Sequence, residues 1–205
     1  STLIKLLWRS LDYYEGDILI DGKSLKSVDL TCLRSQIMIV TQETALIAGT
    51  LRENIDLRLS DKSHDARINE ILGRLGFEHK EYLADGLDMK IESDGSNLSA
   101  GEKQLISFAR TLVDKKKVMV LDEATANIDI KTEEKIQKCL EHDFAETTMF
   151  IIAHRIQTIM HCSRVLVLDK GNIIEFDSPS TLMSNPSSYF YEMLNTYETM
   201  QQNLS

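Results

Sequence analysis

Two four-residue apolar runs, Ile37-Met38-Ile39-Val40 and Val118-Met119-Val120-Leu121, constrain the fold of this chain more than any other feature. Neither alternates with polar residues, so neither suits a strand with one face in water. Each suits a strand buried on both faces, in a sheet covered by helices. Asp17 to Gly22 is a similar run closed by a turn signal, and Thr148 to Ala153 and Arg164 to Asp169 are further candidate strands. Lys170-Gly171-Asn172 reads as a hairpin turn into Ile173-Ile174-Glu175-Phe176. Helical periodicity lies between the runs. Leu105, Phe108, Ala109, Leu112 and Val113 fall at helical spacing, as do Ile136, Cys139 and Leu140 behind an acidic first turn at Glu133-Glu134. Tyr189, Phe190, Met193, Leu194 and Tyr197 make a further apolar stripe. Strands alternating with helices predict an α/β fold.

From about Gly49 to Lys90 the chain is charged, helix-leaning and without a buried strand. It reads as part of a helical lobe, about 49–113, inserted in a single domain over 1–205 whose polar end, 199–205, is frayed. A chain of 205 residues with 42% hydrophobic and 27% charged content can bury a substantial core. The net charge of −9 argues against a nucleic-acid partner. Cys32, Cys139 and Cys162 form no CxxC pair, so neither a disulfide framework nor a zinc site is indicated. No apolar run approaches the roughly 18 to 20 residues of a membrane helix.

Three segments carry chemistry. The run Val118 to Leu121 ends in Asp122-Glu123, which places adjacent carboxylates at the carboxyl end of a strand, the edge where open α/β sheets bind ligands. One carboxylate there can hold Mg²⁺ and the next can polarise a water; a solvated acidic turn is the plainer reading. Leu98-Ser99-Ala100-Gly101-Glu102 is a capping box, Ser at N-cap and Glu at N3, and equally a helix start with amides open to an anion. The chain opens Ser1-Thr2-Leu3-Ile4-Lys5-Leu6-Leu7, an immediate helix-like run without methionine, and is expected to be a fragment of a larger protein.

Taken together these segments resemble the nucleotide-binding cassette of ATP-binding cassette (ABC) transporters. Leu98 to Glu102 is similar to the signature motif LSGGQ, Val118 to Glu123 to the Walker B strand, Ala126-Asn127-Ile128-Asp129 to the D-loop, His154 to the switch histidine and Gln42 to the Q-loop glutamine. Ser1-Thr2 matches the end of the phosphate loop, Gly-Lys-Ser-Thr, so the fragment begins inside the Walker A motif. The resemblance implies a P-loop NTPase-type parallel-sheet core with helices on both faces plus an inserted α-helical lobe. It implies ATP and Mg²⁺, with Ser1, Gln42 and Asp122 toward the metal, and Glu123, His154 and Gln42 as catalytic groups. It implies Ser1, Thr2, Ser99, Gly101 and Asp129 as nucleotide contacts, the signature residues serving ATP held by a second cassette in a head-to-tail sandwich.

Leu121 to Asp129, LDEATANID, resembles the second cassette of subfamily C, the multidrug-resistance-associated type, and Leu33 to Ile55 resembles exporters. The resemblance therefore implies transmembrane domains of the same transporter as partners, at the cytoplasmic face of a membrane. A soluble ABC ATPase of translation or chromosome maintenance, and a non-catalytic regulatory cassette, are the alternatives. The first should carry a coiled-coil insertion or basic segments, and the second should lack Glu123. Three departures stand out: Ala100 replaces Gly, Glu102 replaces Gln, and Thr41 replaces a common proline. Asn127 is unusual in the D-loop, and nothing in its chemistry explains it. Residues 1–205 alone should show no measurable ATPase activity in a phosphate-release assay; robust turnover would refute the truncated phosphate loop.

Overall fold

The computed structural model describes residues 2–13, 15–42, 44–57, 62–125, 128–152 and 156–202, which form two compact units, 1–152 and 153–205. In the first unit the described elements are α1 (Thr2–Leu7), the hairpin β1 (Leu19–Ile20) and β2 (Lys23–Ser24), α2 (Leu30–Gln36), β3 (Ile37–Thr41), β4 (Gly49–Thr50), α3 (Leu51–Ile55), α4 (Asp65–Leu75), α5 (Lys80–Asp85), β5 (Lys90–Ile91), α6 (Ala100–Val113), β6 (Val118–Asp122), α7 (Ile130–Asp143) and β7 (Thr148–Ile152). The second unit holds α8 (Ile156–Met160), β8 (Val165–Asp169), β9 (Asn172–Asp177), α9 (Pro179–Met183) and α10 (Tyr189–Gln202).

Both opening runs are strands of one parallel sheet, ordered β3-β6-β7. Side chains alternate across a strand, and here the alternation divides two cores. Ile37 and Ile39 of β3, with Val118 and Val120 of β6, pack on one face with Leu33 of α2 and Ile4, Leu7 and Trp8 from the first turns of the chain. Met38 and Val40, with Met119 and Leu121, pack on the other face against Leu105, Phe108 and Leu112 of α6 and Ile136 and Leu140 of α7. β3 and β6 are thus covered on both faces, as expected of continuous apolar runs, whereas β7 packs Met149 and Ile151 on one face and leaves Phe150 on the other 40% exposed.

Among the described residues, the segment between β3 and β6 is mainly helical, with one short antiparallel pair, β4 with β5. Ile68, Ile71, Leu72 and Leu75 of α4 are buried at helical spacing and join the same core as α6. A charged cluster ties this region together. Arg52 of α3, 8% exposed, donates to both carboxylate oxygens of Asp65 at 2.7 and 2.8 Å and to Asp88 at 2.5 Å. The guanidinium holds Asp65 and Asp88 below the ordinary carboxylate range, chiefly by these hydrogen bonds.

Three expectations change. Asp17 to Gly22 is not a buried strand: β1 is an arm of a two-stranded antiparallel hairpin, and Leu19 is exposed. Arg164 to Asp169 is likewise not covered on both faces. It pairs antiparallel with β9 through the anticipated turn, in which Lys170 and Gly171 both have positive φ, 48° and 82°. Only one face of this hairpin is covered: Val165 and Val167 pack with Leu182, Phe190 and Leu194, whereas Leu168 is 50% and Phe176 55% exposed. In α10, Phe190 and Leu194 are buried one turn apart, but Tyr189 and Met193 lie outside the contact and are exposed.

Arg52→Ala should cost about 2–4 kcal/mol in urea unfolding, because Asp65 loses its buried cation. The folded-state carboxyl pKa values are lowered, so this stabilisation is present above the unfolded carboxylate pKa and is lost as pH falls through the depressed values. The gap between wild type and variant should therefore narrow in acid, below about pH 4.

Candidate functional site

The parallel register places Thr41, Asp122 and Ile152 side by side as the last residues of β3, β6 and β7. Gln42 and Glu123 directly follow two of them, so Gln42, Asp122 and Glu123 leave the sheet at one carboxyl edge. Gln42 is exposed, and the two carboxylates are half-buried. Glu123 has φ 52°, a left-handed conformation uncommon for a residue with a Cβ, and its N–H donates to Ile152 O at 2.9 Å. The turn ends the strand's alternation at Glu123 and pins it to the end of β7. The sequence pattern located this residue but held no sign of its backbone.

Ser99 is the N-cap of α6 and Gly101 lies in its first turn. Glu102 accepts from Ser99 N at 2.8 Å and from Ser99 Oγ at 2.7 Å, and Glu102 N donates back to Ser99 Oγ at 3.2 Å. The expected capping box is therefore complete, with Glu102 turned back on Ser99. The Ser99 hydroxyl proton is engaged by a carboxylate and must be released before the hydroxyl can donate to an anion. Asp129 caps α7, accepting from Thr132 N at 3.0 Å, and its hydrogen bonds with Thr132 hold its carboxyl below the usual range. Thr125 Oγ1 donates to Glu133 at 2.9 Å across the same helix start. Thr2 is exposed at the start of α1. Ser1, Asn127 and His154 lie outside the described residues.

Sequence reasoning missed Gln104 and Arg110. Gln104 of α6 is 2% exposed, donates to Thr41 O at 3.0 Å and accepts from Thr44 Oγ1 at 3.1 Å. Arg110 donates to Ala45 O at 2.9 Å and to Asn54 O. A signal existed for Gln104: it stands at helical spacing from Phe108, Thr111 and Leu112, a polar residue on the buried face.

A parallel sheet with helices packed on it and polar groups gathered at its carboxyl edge is the α/β architecture that places ligands at that edge. The family model described as ABC transporter matches residues 1–126, and the chain belongs to that family. It is 43% identical over 191 residues to multidrug resistance protein fer6 of Mycosarcoma maydis, across 93% of this chain and 14% of that protein. It is 42% identical over 199 residues to ATP-binding cassette sub-family C member 3 of Rattus norvegicus, across 94% of this chain and 12% of that protein. The chain thus spans about one eighth to one seventh of these relatives. The fold matches a bacterial Atm1-family ABC exporter solved with ATP bound, at TM-score 0.85 and 33% identity, over 96% of this chain and 34% of that one.

Glu102→Gln tests the state of Ser99. Removing a charge that favours the helix N-terminus should lower stability by about 0.5 kcal/mol in urea. It should also loosen the cap, so that the Ser99 amide exchanges with solvent several-fold faster. Wild-type exchange at Ser99 in the variant refutes the hold of Glu102 on that residue.

Proposed function

We propose that this chain is the ATP-binding and ATP-hydrolysing cassette of a membrane exporter, resembling the second cassette of subfamily C. The convergence of Gln42, Asp122 and Glu123 on one sheet edge carries the reading. The relatives named as multidrug resistance and subfamily C proteins support export, and the ATP-bound exporter of matching fold supports the nucleotide.

Phosphoryl transfer asks for positioning and charge neutralisation rather than covalent help. Asp122 and Ser1, with Gln42, would hold Mg²⁺, a set of oxygen donors suited to a small hard cation. When bound, Mg²⁺ neutralises charge on the phosphate oxygens. Glu123 orients and deprotonates the attacking water, and His154 contacts the γ-phosphate. Ser1 and Thr2 belong to the phosphate loop. Ser99 and Gly101 contact ATP held by a second cassette, with Asp129 at the seam. ATP then acts as glue between head-to-tail cassettes, and its hydrolysis releases them. The partners are that second cassette and the transmembrane domains of the same transporter, at the cytoplasmic face of a membrane. No helix among the described residues is long and apolar enough to cross one. The net charge of −9 supports a role without nucleic acid.

Glu123→Gln in the transporter chain should lower ATP turnover at least about 100-fold while ATP stays trapped between cassettes. Phosphate release and retained labelled nucleotide measure the two effects. Turnover at the wild-type rate would remove Glu123 from the reaction.

A further inference from the structure

The segment after β3 carries Gln42, yet Thr44 to Ile47 have no regular secondary structure. Loop backbone normally turns its polar groups to water, and a loop without ladder bonds does not hold a side chain in one place. Here the groups are taken up by neighbouring helices. Gln104 bridges Thr41 O and Thr44 Oγ1, the two sides of the Gln42 turn. Arg110, six residues further along α6, takes Ala45 O. Asn54 of α3 clasps Ile47, accepting from its N–H and donating to its carbonyl, both at 2.9 Å. Leu46 is buried beside Gly95, where a Cβ would lie 2.6 Å from Leu46 Cδ1.

We propose that Gln104 is a positioning residue: its buried amide spans the Gln42 turn and fixes Gln42 relative to the helix whose first turn carries Ser99. This rests on the function proposed above. Ser99 and Gln104 sit on consecutive turns of one rigid helix, so displacement of the Ser99 end by a ligand is delivered to both sides of the Gln42 turn. One cassette would thus link the nucleotide it shares through Ser99 with the one it holds at Asp122. The amide chemistry suits the task. The NH₂ donates to a carbonyl and the oxygen accepts from a hydroxyl, which no carboxylate or hydrocarbon of similar shape reproduces. A polar group buried to this degree is also costly to leave unpaired, so the tie is kept whenever the helix and turn are both in place.

The test uses Gln104→Met, which keeps shape and apolar packing but removes both hydrogen bonds, and Thr44→Val, which removes one. In the chain without nucleotide, hydrogen exchange of residues 42–47 should be about tenfold faster in Gln104→Met. In the transporter, kcat should fall about tenfold with KM for ATP within about twofold, and Thr44→Val should move both readouts about threefold in the same direction. A purely packing role predicts that Met is tolerated. Wild-type exchange and kcat in Gln104→Met would overturn the proposal. So would a kcat loss that follows global unfolding temperature with no local change at 42–47. If the wild-type transporter itself turns over no ATP, the catalytic reading fails separately, and the exchange measurement alone decides whether Gln104 fastens the turn.

Discussion

The register of the three parallel strands is the constraint on which the rest of this structure depends. Ile37 opposite Val118, continued to Thr41 opposite Asp122, sends alternate residues of both strands to the same two cores. A slip of β3 by one residue against β6 would exchange the faces of β3, placing Met38 where Ile37 now packs in the core shared with α1 and α2. It would also shift Gln42 against Asp122 by about 3.3 Å, the rise of one strand residue. Core packing and site alignment are therefore set by one choice. Hydrophobic burial enforces it far more strongly than any interaction among the polar groups themselves.

Local pattern made part of this legible. Ile37 to Val40 and Val118 to Leu121 were readable because unbroken apolar runs have few other uses. The α6 stripe was readable because five apolar residues at helical spacing bury one face. Asp17 to Gly22 and Arg164 to Asp169 misled because run length reports apolar character without saying how many faces find a partner. Leu19 and Leu168 face outward from two-stranded hairpins. Tyr189 and Met193 misled for a related reason: over a narrow hairpin Phe190 and Leu194 reach the surface beneath, whereas Tyr189 and Met193 beside them stay outside the contact. At the site, Asp122 and Glu123 were legible as the end of a strand, but the left-handed backbone of Glu123 was not. The partners of Gln104 lie about sixty residues away in sequence, beyond the reach of any periodicity.

The polar ties differ in kind between the two regions they serve. Arg52 meets carboxylates, and the pairing compensates the cost of burying its charge. Arg110 meets backbone carbonyls, and burial lowers its pKa, with no acid among the described residues hydrogen-bonded to it. A guanidinium remains charged even so, so its positive charge is spent on orienting carbonyl dipoles of the Ala45 and Asn54 backbone. The first arrangement stiffens helices against one another. The second shapes a loop that has no ladder of its own, and it does so from the helix that also begins at Ser99.

Sequences that fold cooperatively obey local rules nearly everywhere, and departures concentrate where something other than folding is being served. Several departures here meet at one sheet edge. Glu123 takes a left-handed conformation that costs about 1–3 kcal/mol unless its surroundings hold it. Gln104 places an amide on the buried face of a helix. Gln42 opens a segment without regular structure between a strand and the helical region. Arg52 also breaks a rule, as a buried charge, but Asp65 and Asp88 satisfy it locally. The edge residues are distinguished by where they stand, at the carboxyl ends of parallel strands. Ile152 O restrains the Glu123 backbone and Thr41 O meets Gln104, yet the side chains of Gln42, Asp122 and Glu123 remain exposed or half-buried at the carboxyl edge. Backbone restraint combined with side-chain access is the physical distinction between a polar cluster that holds a fold together and one arranged to receive a ligand.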